Sequence, residues 1–130
     1  MRIDDDGGIR VQFLDEEGPI LETSEQTSDL IGNAWYEHVD LIAVPVVRLT
    51  PEFFRLRSQF AGEFIQKFVN YRLKLAVIGD VSEFTLASDA LRDFVWESNR
   101  GEHVWFLPDE KALADKLEPR RAIGRAAAES

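Results

Sequence analysis

The sequence predicts a single α/β domain in which helices pack on a mixed sheet of four or five strands. The chain has 130 residues and is 45% hydrophobic, which suits one domain with one core. Two short apolar runs, 41–46 and 73–78, are typical of strands that are covered on both faces. Strands alternate with helices over short connections, which predicts parallel pairing with right-handed crossovers.

Near the N-terminus, residues 9–13 alternate between apolar and polar side chains, which indicates an outer strand with one face in water. The turn residues at 17–19 and the apolar pair 20–21 predict a short antiparallel partner for this strand. The preceding run 4–8 holds three aspartates and two glycines without the alternate spacing of a calcium loop. We interpret it as a solvated terminus and predict no metal site.

The middle of the chain predicts two helices that alternate with two buried strands. The first helix begins at Ser24 or Thr27, both good N-caps, and a strand over 40–46 follows it. The second helix, 50–71, opens with a Thr-Pro pair, because threonine caps free N–H groups and proline at the first position loses no hydrogen bond. It leads into the central strand 73–78, whose residues are mostly branched and apolar.

The last third of the chain predicts a helix capped by Ser88, a strand over 103–107 and a helix over 108–117. After residue 117 the sequence has one large aliphatic side chain and an internal proline, so it has little to bury. We therefore expect a domain over 1–117 and a flexible tail over 118–130.

The composition argues against several classes of partner. The net charge of −9 opposes nucleic acid and anionic membranes, so we expect neither as a partner. No apolar run approaches the roughly 18 to 20 residues that a membrane span needs. The absence of cysteine excludes thiol chemistry and suits the cytoplasm. We see no Gly-rich phosphate loop, GxSxG, HExxH or dinucleotide fingerprint, and we predict no cofactor.

A ligand site is predicted where the carboxyl edge of the sheet meets the second helix. Counting about 100° per residue places Arg57 on the apolar stripe of that helix, where a cation needs a carboxylate or an anionic ligand. Asp80 leaves its strand at the same edge, so we predict that the two side chains lie close together. They form either a salt bridge that fixes the following loop or a ligand site that includes Arg48 and Ser82.

A second candidate surface lies opposite the apolar stripe and consists of Glu63, Lys67 and Asn70, with Arg100 from the next helix. Glu63 and Lys67 have the favourable order for a salt bridge within one helix, so a solvated face is the alternative interpretation. The residues that a small enzyme would use are Glu63, Asp80, Arg57 and Arg100.

Trp96 projects away from the apolar face of its helix. An exposed tryptophan often marks an interface, and half-burial at the helix edge is the alternative. We predict a weak or moderate homodimer with Trp96 or the edge of strand 9–13 near the contact.

Three segments together resemble an uncharacterised family, the domain of unknown function 4180. They are Ala61-Gly62-Glu63-Phe64-Ile65-Gln66-Lys67-Phe68-Val69-Asn70-Tyr71, Gly79-Asp80, and Leu91-Arg92-Asp93-Phe94 through Asn99-Arg100-Gly101. The resemblance covers about 11–117 and implies no established activity. More loosely, the element order resembles the STAS domain of anti-sigma factor antagonists. The matching loop, 47–51, lacks that family's Asp-Ser-Ser-Gly signature.

We therefore expect a non-enzymatic, cytoplasmic regulatory or binding module that acts through a protein partner or a small ligand. The alternative is a small enzyme or an anionic-ligand-binding protein with its site around Arg57 and Asp80.

Overall fold

A computed structural model of the chain describes residues 2–55 and 59–129. Five strands form one sheet in sequence order: β1 (Arg2–Asp6), β2 (Ile9–Phe13), β3 (Leu41–Pro45), β4 (Lys74–Ile78) and β5 (Val104–Leu107). The α-helices are α1 (Ser24–Tyr36), α2 (Gln59–Asn70), α3 (Ser82–Ala87), α4 (Asp89–Arg100) and α5 (Glu110–Glu129). β1 pairs antiparallel with β2, and the other neighbours are parallel, which confirms the predicted α/β fold with a mixed sheet.

Helices cover both faces of the sheet. Alternate strand residues point to opposite faces, and the structure divides the buried side chains accordingly. The strand residues on the α1, α2 and α4 face are Ile42, Val44, Leu75, Val77, Val104 and Phe106. Those on the α5 face are Val11, Leu41, Ala43, Ala76 and Trp105. Right-handed crossovers in a sheet with sequential strand order put the connecting helices on one side, which leaves the other side for α5.

The N-terminal hairpin differs from the prediction. Residues 2–6 are largely exposed, as expected, but they form strand β1, which was not predicted, because Gly7 (φ 60°) and Gly8 (φ 77°) adopt the left-handed backbone of a two-residue hairpin turn. β2 is therefore paired on both sides and is not an outer strand, so it offers no open edge for a dimer. The predicted antiparallel partner at 20–21 is also wrong, since Leu21 forms an isolated parallel bridge with Leu49.

The predicted helix over 50–71 is interrupted in the structure. A 3-10 helix spans Pro51–Phe54, the backbone is extended at Arg55, and α2 begins at Gln59. Phe53 and Phe54 are both buried, and their rings pack against different elements. The 3-10 turn lets Phe53 pack edge-on against Phe64 while Phe54 stacks on Phe84 at 4.3 Å between ring centroids.

α5 continues well past Leu117, where the sequence led us to expect a flexible tail. The buried Arg121 lies with its Nη2 atom 3.6 Å from the carboxylate of Asp4 on β1. One turn further on, Arg125 forms an ion pair with Asp6. These contacts join α5 to the hairpin through charges and not through apolar side chains, so a hydrophobic pattern does not reveal them.

Candidate functional site

Two of the predicted site residues, Asp80 and Ser82, lie together at the carboxyl end of β4. The Asp80 Oδ1 atom accepts a hydrogen bond from the Ser82 N–H at 2.8 Å and closes the turn that starts α3. Bonds from the Ser82 side chain and N–H lower the pKa of Asp80 below its ordinary value. From the sequence we expected only a polar loop here. An aspartate can accept from the N–H two residues further on, so the Asp-x-Ser spacing was the signal that could have predicted this turn.

We expect the turn formed by Asp80 and Ser82 to make a pH-dependent contribution to the stability of the fold. Because the folded-state pKa of Asp80 is lowered from 3.8, its stabilising effect is complete above pH 3.8 and is lost as the pH falls through the lowered value. We expect Asp80→Asn to lower the urea midpoint at pH 7 and to approach the wild type below pH 3.8. Asp29→Asn, at an exposed position on α1, is the control. A deficit that stays constant over this pH range would contradict the assignment.

Arg48 stabilises the loop between β2 and α1. It is 9% exposed, and its Nε and Nη1 atoms donate to the carbonyl oxygens of Pro19 (2.7 Å) and Asp15 (2.8 Å). It is not among the described residues that line the groove beside Asp80. The predicted partner Arg57 lies outside the described residues. The structure therefore unites Asp80 and Ser82 but does not add Arg48 to them.

The second candidate surface is also organised differently from the prediction. Lys67 does not pair with Glu63; its Nζ atom donates to the Ser24 carbonyl oxygen at 3.1 Å and to the Ser28 hydroxyl at 3.0 Å. This contact ties α2 to the first turn of α1. Asn70 accepts a hydrogen bond within α2, from the side chain of Gln66 at 2.8 Å.

Trp96 lies at the rim of a groove between α3, α4 and the end of β5, which we call the Trp96 groove. Its side chain is 60% exposed, and the guanidinium of Arg100 lies 4.4 Å from the ring centroid. Arg100 therefore contacts Trp96 on α4. The groove has a volume of about 430 Å³. Its lining residues are Gly79, Asp80, Val81, Ser82, Thr85, Arg92, Val95, Trp96, Asn99, Phe106, Leu107 and Pro108.

A second groove, the Phe84 groove, lies on the other side of α3 and has a volume of about 770 Å³. It is lined by Pro51, Phe54, Arg55, Glu83, Phe84, Ala87, Ser88 and Ala90. Leu86 on α3 is 86% exposed, and α3 has no buried residue. Ser88 caps α4 by accepting from the Leu91 N–H at 3.2 Å, as the sequence predicted.

A third cavity, the carboxyl-edge crevice, lies on the α5 face of the sheet. Its volume is about 640 Å³. Arg2 lies over the Phe13 ring at 4.1 Å and forms an ion pair with Glu110. The lining residues are Arg2, Phe13, Leu14, Asp15, Glu16, Ala43, Pro45, Ile78, Gly79, Pro108, Asp109, Glu110 and Lys111.

The described part of the chain holds neither a cluster of metal ligands nor a membrane-spanning helix. Within residues 2–55 and 59–129, no three histidine, aspartate or glutamate side chains are grouped so that they could hold a metal ion. No helix in these ranges combines the length and the apolar composition that a bilayer span requires.

The chain was compared with protein families, curated proteins and solved structures. No curated protein and no solved structure gave a significant match. One family model, described as Domain of unknown function (DUF4180), matches residues 6–117, which is most of the chain and the same region that carried the resemblance. The protein belongs to the DUF4180 family.

Proposed function

We propose that this protein is a non-enzymatic binding module that acts through protein contacts made by α3 and α4. One observation carries the proposal: α3 buries none of its residues, and grooves with mainly apolar linings flank it on both sides. Phe84 on α3 stacks on the buried Phe54, whereas Leu86 on the same helix is 86% exposed and needs another reason to be apolar. Trp96 lines one of these grooves and Leu86 lies on the helix between them; both are large apolar side chains exposed to water, and tryptophan in particular is frequent at protein interfaces.

The described polar residues that the sequence predicted as a site support binding over catalysis. An enzyme needs several polar groups that converge in one concave pocket. Here Arg48 is engaged by loop carbonyls, Lys67 by α1 and Asp80 by its own turn. A regulatory role in the cytoplasm accords with this proposal, since the chain has no cysteine and its element order loosely resembles that of the STAS domain.

A small-ligand protein is the second candidate, and the carboxyl-edge crevice favours it. Open α/β sheets commonly bind ligands at the carboxyl ends of their strands, and a volume of about 640 Å³ lies in the range of small-molecule pockets. The crevice also combines apolar floor residues such as Phe13 and Ile78 with charged residues at its rim.

Affinity capture from an extract of the source organism tests the proposal when it is made with matched variants. The double variant Leu86→Ser/Trp96→Ser removes the two exposed apolar side chains. Trp35→Ser/Tyr36→Ser removes a comparable pair from the end of α1, where the side chains are 69% and 77% exposed. Mass spectrometry of retained proteins and metabolites is the measurement.

We expect a protein partner that is retained by the wild type and the α1 variant and lost by the α3–α4 variant. Circular dichroism controls for correct folding of both variants. Retention of the same partners by all three proteins would overturn the proposal. A retained metabolite without any protein partner would favour the crevice as the site.

A further inference from the structure

We infer that residues 118–129 of α5 form a hinged strap, which opens from the β1–β2 hairpin when its charges are screened while the rest of the domain stays folded. We call this segment the C-terminal strap. The inference goes beyond the proposed function, because α5 covers the face of the sheet opposite to α4. It combines a change in the contacts along α5, a proline at the point of change and the incomplete pairing of a buried arginine.

The contacts of α5 change in kind after Leu117. Leu113 and Leu117 pack in the apolar cluster on this face of the sheet. Among the described residues of the C-terminal strap, Arg121 is the one that is buried, and Gly124 meets the carbonyl group of Gly7 through backbone atoms. Opening the strap therefore exposes little apolar surface. Burial of apolar surface is the main force that keeps a segment closed, and this force is weak here.

Pro119 lies where the contacts change. Proline has no N–H, so Pro119 gives no hydrogen bond to the Asp115 carbonyl oxygen, and the helix is weakened there. Sharp bends in helices occur mostly at such residues. Pro119 lies between Leu117, which packs in the apolar cluster, and Arg121, which contacts the hairpin through its charge. The helix is thus weakest at the point where a hinge has to act.

Opposite charges hold the C-terminal strap on the hairpin. Asp4 and Asp6 of β1 lie on the same face, since alternate residues of a strand share a face. The Nη2 atom of Arg121 lies 3.6 Å from the Asp4 carboxylate. Arg125 forms an ion pair with Asp6, donates from Nε to its Oδ1 atom at 2.7 Å, and donates from Nη1 to Glu118 at 2.8 Å. The hydrogen bond from Arg125 lowers the pKa of Asp6 below its ordinary value, as expected for coupled opposite charges.

The pairing of Arg121 is incomplete. This residue is 6% exposed, and the described residues provide no hydrogen-bond acceptor for its buried Nε and Nη2 atoms. Burying a charged donor without a hydrogen bond costs free energy, and water would satisfy both atoms in an open strap. This cost opposes the attraction between the charges in the closed state. A modest loss of attraction therefore shifts the strap towards opening.

Dissolved salt causes this loss of attraction. The screening length falls from about 10 Å in 0.1 M salt to about 3 Å in 1 M salt. The side chains of Arg125 and Asp6 are 43% and 36% exposed, so salt ions reach their ion pair. The apolar contacts of Leu113 and Leu117 do not depend on charge. Salt should thus release the C-terminal strap and leave the first half of α5 in place.

Hydrogen–deuterium exchange of the full chain in about 0.1 M and about 1 M sodium chloride measures the opening. A released segment of about twelve residues is too short to stay helical in water, so opening appears as faster exchange of its backbone amides. Asp6→Arg and Arg125→Asp each turn attraction into repulsion, and the double variant Asp6→Arg/Arg125→Asp exchanges the two charges. Asp115→Arg is the matched control, because it breaks an exposed ion pair with Lys111 within α5 itself.

We expect the wild-type strap to exchange about fivefold faster at the higher salt concentration, while exchange in residues 110–117 stays the same. At the lower concentration, each single variant of the Asp6–Arg125 pair should speed exchange of the strap by about the same factor. The double variant should recover most of the slow exchange, and Asp115→Arg should match the wild type.

Strap exchange that salt leaves unchanged, or that rises together with exchange in the rest of α5, would overturn the inference. Single variants and a double variant that all exchange equally fast would also overturn it, because pairing of these two charges would then not close the strap. Circular dichroism confirms that the variants are folded. The salt series on the wild type decides the matter without any substitution.

Discussion

Asn99→Ala is expected to lower the free energy of unfolding by about 1–3 kcal/mol and to make the protein self-associate. The Asn99 Oδ1 atom accepts from the Phe106 N–H at 2.7 Å, and its Nδ2 atom donates to the Phe106 carbonyl at 3.1 Å. The Asn99 side chain therefore makes the two hydrogen bonds to the Phe106 backbone that a neighbouring strand would make. Alanine would leave both backbone groups of this buried strand residue without their partner.

The direction of these backbone groups explains the second effect. β5 is the last strand of the sheet, and the carbonyl oxygens of His103 and Leu107 accept from Leu75 and Gly79 on the β4 side. Backbone groups alternate along a strand, so those of Phe106 point to the open edge. An open apolar edge is a template for pairing with another chain.

Urea unfolding and sedimentation velocity measure the two effects of Asn99→Ala. Asn33→Ala, at an exposed position on α1, is the control and should behave like the wild type. An unchanged urea midpoint together with a monomer at high concentration would show that Asn99 does not protect this edge.

Truncation after Leu117 is expected to lower the melting midpoint by several degrees, at about 2–8 °C for each kcal/mol lost. It removes the contacts of Arg121 with Asp4 and of Arg125 with Asp6 on the hairpin. It also removes a close backbone contact, because a Cβ atom on Gly124 would overlap the carbonyl group of Gly7. The end of α5 thus holds the β1–β2 turn against the rest of the domain.

Differential scanning calorimetry checks this result. Truncation after Arg125 is the matched control, because it keeps both ion pairs and the glycine contact, and its midpoint should stay near that of the full chain. Equal melting midpoints for the full chain and the chain ending at Leu117 would mean that residues 118–130 do not stabilise the domain, as the sequence led us to expect.

Apolar patterning predicted the centre of the fold well. β3 and β4 are short runs of branched residues, and a strand buried on both faces has to be apolar throughout, so its sequence is distinctive. The Ser88 cap was equally clear, because a serine before an amphipathic stretch satisfies free N–H groups at one position.

The elements that the sequence did not reveal depend on tertiary contacts or on turn geometry. β1 is largely aspartate and becomes a strand through the Gly7-Gly8 turn and its pairing with β2. The extension of α5 depends on ion pairs and on the close packing of two glycines, and neither leaves a periodic pattern in the sequence. Arg48 is held by carbonyl groups that are 29 and 33 residues distant in sequence. Spacing along the chain therefore could not show that Arg48 stabilises a loop and does not belong to a ligand site.

Hydrogen–deuterium exchange tests the central claim most directly, with the protein alone and mixed with the partner retained in the capture experiment. We expect slower exchange at the backbone amides of α3 and α4 in the mixture, while exchange in the β1–β2 hairpin stays unchanged. Protection confined to β1 and the first turn of α5, with α3 exchanging at its original rate, would contradict it and move the site to the carboxyl-edge crevice.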